Sequence, residues 1–383
     1  MNAAMNDEAT LRAWAYLSRV AEPPCAELAA LVNSVGPQEA AERVRRGLVD
    51  DELLRLTAAR REVDQAAADL EVLRRRGGRL VTPDDDEWPV LAFAAFDGTR
   101  SKNTMPMVLW AAGPARLDEV STRAAALVGT RAATAYGEHV THELATGLAQ
   151  HDVAVVSGGA YGIDGAAHRA ALAADGITVA VLAGGLDIPY PAGHSALLHR
   201  IGQHGLVCTE YPPGVRPARF RFLTRNRLVA GLSGAAVVVE AGLRSGAANT
   251  AAWARSLGRV VAAVPGPATS SASAGCHVLL RNGAELVTRY QEIIELVGHI
   301  GELAPDEPRP TTSLDGLGEA ERRVYEALPG RGAAAVDEIA VAAGLPPEHV
   351  LGPLALLELS GLAECLDGCW RIVRKRRGQA RLV

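Results

Sequence analysis

The sequence predicts an α/β protein: a doubly wound, mostly parallel sheet, preceded by a small helical domain and followed by a winged helix-turn-helix. Between residues 122 and 298 short apolar runs alternate with helical stretches, and several runs are apolar at every position. Strands covered by helices on both faces have that texture. The loops after these runs are rich in glycine, and a sheet of this kind holds its ligand at the carboxyl ends of its strands. Residues 313–373 then run helix, helix, turn, helix, hairpin, the order of a winged helix.

Bulk properties narrow the class further. A chain of 383 residues suggests two or three domains, and 48% hydrophobic residues with 39 Gly fit a compact α/β protein. The net charge of −5 leaves no global basic field, so any nucleic-acid binding must come from a local patch. Five scattered cysteines, Cys25, Cys208, Cys276, Cys365 and Cys369, argue against a secreted disulfide framework. The start, MNAAMNDEAT, has no basic flank followed by an apolar core, and no uncharged apolar run reaches about 18 residues. The expected location is cytoplasmic, with no membrane partner.

Residues 1–78 carry helical apolar spacing, as in Leu11, Trp14, Leu17 and Val20, and predict the helical domain. Within it Gly36-Pro37 before a helix start has the form of a helix-hairpin-helix turn. Residues 79–298 form the expected core, of which 79–118 is an extended lead-in with a short strand, Val108 to Ala111, and an acidic run, Asp84 to Glu87, expected to be a solvated loop. Strands are expected at Ala125–Val128, Val153–Val156, Thr178–Leu182, Leu206–Cys208, Ala235–Val239, Val260–Val264 and Glu285–Val287. Residues 299–312 have linker composition, 313–373 form the winged helix, and 374–383 are a basic tail. Asp367-Gly368 is a two-residue hairpin turn that sets Leu366 opposite Cys369 and Cys365 opposite Trp370, so the two thiols do not face each other and no metal site is expected.

The strand ends gather the chemistry: Gly129-Thr130-Arg131, then Ser157-Gly158-Gly159 running through Gly162, Gly184-Gly185, Arg244-Ser245-Gly246 and Gly266. Backbone amides beside a helix start form an anion site. The first strand leads into GTRAATAYG rather than GxGxxG, and no GxxxxGK[ST] occurs, so neither a dinucleotide cofactor nor a P-loop nucleotide is expected. Asp164 and His168 share a helix face without further ligands; the first is read as favouring the helix start and the second as packed. Ser157 and Ser245 lie in no GxSxG elbow and are read as phosphate donors.

From Tyr211 to Val239 there is no Asp or Glu, while Arg216, Arg219, Arg221, Arg225 and Arg227 are interleaved with Phe220 and Phe222. Guanidinium groups that neutralise phosphates and rings that stack on bases are what an unpaired strand needs.

The motifs SGGAYGID, GGLDIPYP, FLTRNRLVAGLS, VVEAGLRSGAANTA and VPGPATSSASAGC, in that order, resemble the DNA-processing protein A family (DprA, also called Smf) over residues 80–298. The resemblance implies a Rossmann-like core that binds single-stranded DNA without catalysis, dimerises, and loads the recombinase RecA during natural transformation. It also implies a SAM/helix-hairpin-helix-like domain in front. By motif, Arg131, Ser157, Gly158, Gly159, Arg225, Asn226 and Arg227 would line the DNA pocket, and Gly162, Arg221, Phe222, Arg244, Ser245, Gly246 and Gly266 are added from the neighbouring loops. Thr130, Thr224 and His277 depart from the family pattern.

The competing class is an enzyme, a nucleoside monophosphate hydrolase of the lysine-decarboxylase-like type, whose PGGxGT…E pattern is missing here; the region reads VVEAGLRSGAANT, with Glu240 ahead of the loop. A transcription regulator fits poorly, because the recognition helix expected at Pro347–Ser360 has no Lys or Arg and carries Glu348 and Glu358.

Overall fold

The computed structural model describes residues 8–97, 105–298, 314 and 317–373; the expected linker at 299–312 and tail at 374–383 lie outside them. Contacts divide the chain between residues 305 and 306 into two units. The first opens with five helices, Glu8–Val20 (α1), Ala26–Val35 (α2), Pro37–Arg46 (α3), Asp51–Thr57 (α4) and Ala66–Arg75 (α5). Pro37 occupies the first position of α3, where its missing N–H costs nothing, and Asp50 caps α4 by accepting from Leu53 N at 2.8 Å. Their apolar faces close over Trp14, Leu17, Leu28 and Leu53, and the same cluster takes in Leu80 and Trp110 from the sheet that follows.

That sheet has nine strands: Gly78–Val81 (β1), Leu109–Ala112 (β2), Ala124–Gly129 (β3), Ala154–Ser157 (β4), Thr178–Val181 (β5), Leu206–Thr209 (β6), Ala235–Glu240 (β7), Val260–Ala263 (β8) and Glu285–Leu286 (β9). Between them run Val90–Phe93 (α6), Leu117–Thr122 (α7), Ala135–Ala149 (α8), Ile163–Ala173 (α9), Ser195–His204 (α10), Arg219–Gly231 (α11), Gly246–Ser256 (α12) and Ala274–Arg281 (α13), with Tyr290–Val297 (α14) last. The strand order is β1-β2-β6-β5-β4-β3-β7-β8-β9, parallel from β6 to β9. The expected class is observed. Alternate residues of each strand feed opposite cores: Ala124, Ala126 and Val128 on one face, Ala125 and Leu127 on the other. Each fully buried Leu or Val there contributes about 1.5–3 kcal/mol.

Two expectations change. The lead-in segment is not merely extended: β1 pairs antiparallel with β2, and β2 with β6, so it widens the sheet at one edge. The acidic run is not wholly solvated either. Glu87 is buried, takes Arg79 Nη2 at 2.6 Å and caps Leu117 N at 3.1 Å, because the turn folds back over the sheet edge.

The second unit contains Glu319–Ala327 (α15), Ala334–Ala335 (β10), Val336–Ala343 (α16), Leu351–Leu359 (α17), Ala363–Leu366 (β11) and Cys369–Ile372 (β12), the strands ordered β10-β12-β11. Asp367 (φ 49°) and Gly368 (φ 81°) make the turn, and Leu366 pairs with Cys369 and Cys365 with Trp370. The expected recognition helix is broken into a 3-10 turn, Pro347–His349, and α17. No single helix among the described residues is long and apolar enough to cross a membrane.

Candidate nucleic-acid interface

The chain winds outward from β3 through β4, β5 and β6, then returns to build β7, β8 and β9 on the other side. A doubly wound sheet opens a crevice where its order reverses. Here the crevice lies beyond the carboxyl ends of β3 and β7, a cleft of about 860 Å³.

One wall is the loop after β3. Glu240, buried at the end of β7, accepts from Thr134 N at 2.9 Å and Thr134 Oγ1 at 2.7 Å, while its carbonyl accepts from Thr130 N at 2.7 Å. Thr134 in turn caps α8 through Gly137 N. The exposed Arg131 is presented by this braced loop, 5.2 Å above the Phe222 ring. Across the cleft Arg244 is also exposed, and Ser245 stands at the start of α12 with a buried Oγ that has no partner. Gly246 follows it on the same wall.

The helix α11 supplies the third side. Arg219, Phe222, Leu223 and Asn226 fall at helical spacing and all line the cleft. Tyr190 lies 5.3 Å from Phe222, extending the aromatic surface. Arg131, Arg219 and Arg244 have no ion pair among the described residues, so three free cations ring an aromatic floor.

The glycine loop behaves differently from expectation. The amides of Gly158 and Ala160 donate to Asp164 Oδ2 at 3.2 and 3.4 Å, so the chain's own carboxylate occupies the anion site. Burial pushes the Asp164 carboxyl above the usual carboxylate range, against the pull of Arg225 and those amides. Arg225 is itself buried; Nη1 donates to Gly158 O at 2.7 Å and to Val181 O, and burial draws its pKa down. Arg225 and Gly158 line the back of the cleft, but as bracing. Asn226 Nδ2 reaches Gly246 O at 3.3 Å and Asn249 Oδ1 at 3.2 Å, tying α11 to α12.

Other expected contacts are drawn away. Arg227 is fully buried and donates through Nη2 to both oxygens of Glu210, at 2.6 and 2.7 Å, so no phosphate reaches it. Burial raises the Glu210 carboxyl even with this partner. Arg221 turns to Glu22 of the helical bundle, with Nε at 3.1 Å. Burial works against the charge on Glu22, yet the hydrogen bonds and charges of Arg221 and Arg60 outweigh it and hold that carboxyl below its ordinary value. The Ser157 hydroxyl is buried and donates to Leu127 O at 2.7 Å, so it is no phosphate donor. Gly162 (φ 73°) packs on the Thr130 carbonyl, where any side chain would clash, and Gly159 packs on Leu198. Gly266 accepts from His277 Nε2 at 3.1 Å and is not part of the cleft wall. His168 is packed as expected, with Nδ1 2.7 Å from Thr178 Oγ1 and a pKa lowered to about 3, chiefly by burial. α2 and α3 are joined through the single residue Gly36 (φ 80°), and Glu39 and Asp84 line the groove beside it and would repel a phosphate. Among the described residues no cluster of His, Cys, Asp and Glu could hold a metal.

Sequence reasoning named Arg219 only within the basic run, without placing it in the pocket, and left out Leu223 and Tyr190. Read as one helix, 219–231 would have placed Arg219, Phe222, Leu223 and Asn226 on one face and Arg221 off it.

Fold and cleft together define a doubly wound α/β protein with an arginine-lined cleft, followed by a winged-helix unit. Residues 79–298 match the family described as DNA recombination-mediator protein A, and 306–368 match the DprA winged helix domain. The chain belongs to this DprA/Smf family. It is 77% identical over 375 residues to a Mycobacterium tuberculosis (strain H37Rv) chain bearing the DNA processing protein DprA name, covering 97% of this chain and 96% of that one. Protein Smf of Escherichia coli K12 is 38% identical over 255 residues, which is 66% of this chain and 68% of Smf. The X-ray structure of DNA processing protein A from Streptococcus pneumoniae superposes with a TM-score of 0.62 at 30% identity, covering 76% of this chain and 98% of that one.

Proposed function

We propose that this protein binds single-stranded DNA in the β3/β7 cleft and acts as a recombination mediator, handing the strand to RecA during DNA uptake. The observation that carries the reading is the ring of three unpaired arginines, Arg131, Arg219 and Arg244, around Phe222 and Tyr190. Phosphates meet the guanidinium groups, bases stack on the rings, and the Gly246 amide at the start of α12 receives one further phosphate oxygen. Arg225, Asn226, Asp164 and Glu240 hold these groups in place. A homodimer in the cytoplasm is part of the same proposal, resting on membership of the family.

The protein acts by binding and not by catalysis. In a hydrolase the carboxylate beside this cleft would face a water; both Glu240 oxygens are spent on Thr134. Incubation with nucleoside monophosphates should release no free base.

The decisive measurement is fluorescence anisotropy with labelled oligothymidine and a duplex of equal length. Binding should favour the single strand, and the logarithm of affinity should fall against log salt with a slope of about −2, from about 0.7 for each of three cations. Reversing Arg131 and Arg244 to Glu should abolish binding at moderate salt; unchanged affinity would remove this cleft from the function.

A further inference from the structure

A second cleft, of about 530 Å³, opens on the other side of the loop that carries Tyr190. Its rim is formed by Arg75 and Arg76 at the end of α5 and by His199 and Gln203 on α10. Its floor is apolar, built from Leu182, Leu198 and Val207. No Asp or Glu lines it. Arg75 holds only an exposed pair with Glu71, Nε to Oε1 at 2.8 Å, and Arg76 makes one long contact, Nη2 to Asp187 O at 3.5 Å. Pairs of that kind yield readily to a phosphate. The Asp187 carboxylate is engaged elsewhere, accepting from Gly214 N at 2.9 and 3.0 Å.

Adjacent residues of one loop line the two clefts. Pro189 lines the second and Tyr190 lines the first, and Tyr190 is 46% exposed. Behind them Leu198, in the floor of the second cleft, packs on Gly159, next to the Gly158 that backs the first.

We infer that the strand does not end at the first cleft. It passes over Tyr190 and lays its next nucleotides in the second cleft, phosphates on Arg75 and Arg76 and a base against the Leu182, Leu198 and Val207 floor. This inference rests on the single-strand reading above and extends it to a longer footprint. An apolar floor under a basic, acid-free rim suits a base with its phosphate better than an inorganic anion, which would gain nothing from the leucines.

The test is a length series of oligothymidines, measured by anisotropy on the full chain and on a variant carrying Arg75→Glu and Arg76→Glu. The shortest oligomers, able to fill only the first cleft, should bind both proteins equally. Long oligomers should bind the variant at least about tenfold more weakly, and the salt slope of the wild type on them should be steeper by about 1.4, for two added phosphates. A control with Arg45→Glu and Arg46→Glu, the same charge change on α3, should keep wild-type length dependence. Equal affinity of variant and wild type at every length would overturn the inference, as would an equal loss at every length. Absence of binding by the wild type at any length would instead overturn the single-strand reading itself. As a second measurement, 4-thiothymidine at the distal end of a long oligomer should crosslink to the 195–203 segment; crosslinking elsewhere only would also refute the path.

Discussion

The two halves of α11 use the same residue types for opposite ends. In the first half, Arg219 to Thr224, Arg219, Phe220 and Leu223 are exposed, and Arg219, Phe222 and Leu223 line the cleft. In the second half, Arg225 to Gly231, every side chain is buried, and its two arginines are consumed by carbonyls and by Glu210. An arginine in water is a ready cation for a phosphate, whereas one without solvent is held by whatever partner offsets its desolvation. Basic residues counted along a sequence therefore overstate the number that a nucleic acid can meet.

The sharpest way to break this division is Arg227→Ala. It should cost about 3–5 kcal/mol of stability, read by chemical denaturation, because Glu210 is left buried and uncompensated. The affinity of the remaining folded protein for oligothymidine should not change. Replacing both partners, Arg227→Met with Glu210→Leu, should recover most of the stability.

In the exposed half the expectation reverses. Phe222→Ala should weaken single-strand binding by about 1–3 kcal/mol, the worth of one base stacked on a ring, with an unaltered melting temperature.

The buried class extends beneath the glycine loop to His168. Burial holds its folded pKa at about 3, below the ordinary imidazole value of about 6.5, so the unfolded chain binds the extra proton as pH falls. Stability from this group is complete above 6.5 and is lost towards 3. Between pH 7 and pH 5 the wild type should therefore lose about 2 kcal/mol more than His168→Gln, measured as the difference in their denaturation free energies.

The smallest effect expected is also the most specific. Arg219→Ala should make the salt slope shallower by about 0.7, one phosphate contact, and weaken binding to all base sequences alike.

Much of the fold could be read from the chain because strand burial writes itself into composition: Ala124 to Val128 and Ala235 to Val239 are apolar on both faces and are interior strands. The antiparallel edge was harder, since Gly78–Val81 is short and half-covered and has the texture of a loop. At the cleft, the positions of Arg131, Phe222 and Arg244 followed from their place at strand ends and in the arginine–aromatic run. The fates of Arg225 and Arg227 did not. They depend on Val181, Gly158 and Glu210, distant in sequence, and only the folded chain brings these together. Asp164 was legible as a helix-start acid, but its capture of the Gly158 and Ala160 amides is a matter of loop closure.

Glu240 ties the end of β7 to the beginning of α8, four residues before Arg244 on one side and, through Thr134, three residues after Arg131 on the other. The two jaws of the cleft are thus one mechanical piece. With the loop backbones already held, a strand entering this cleft would spend less of its binding free energy on ordering them.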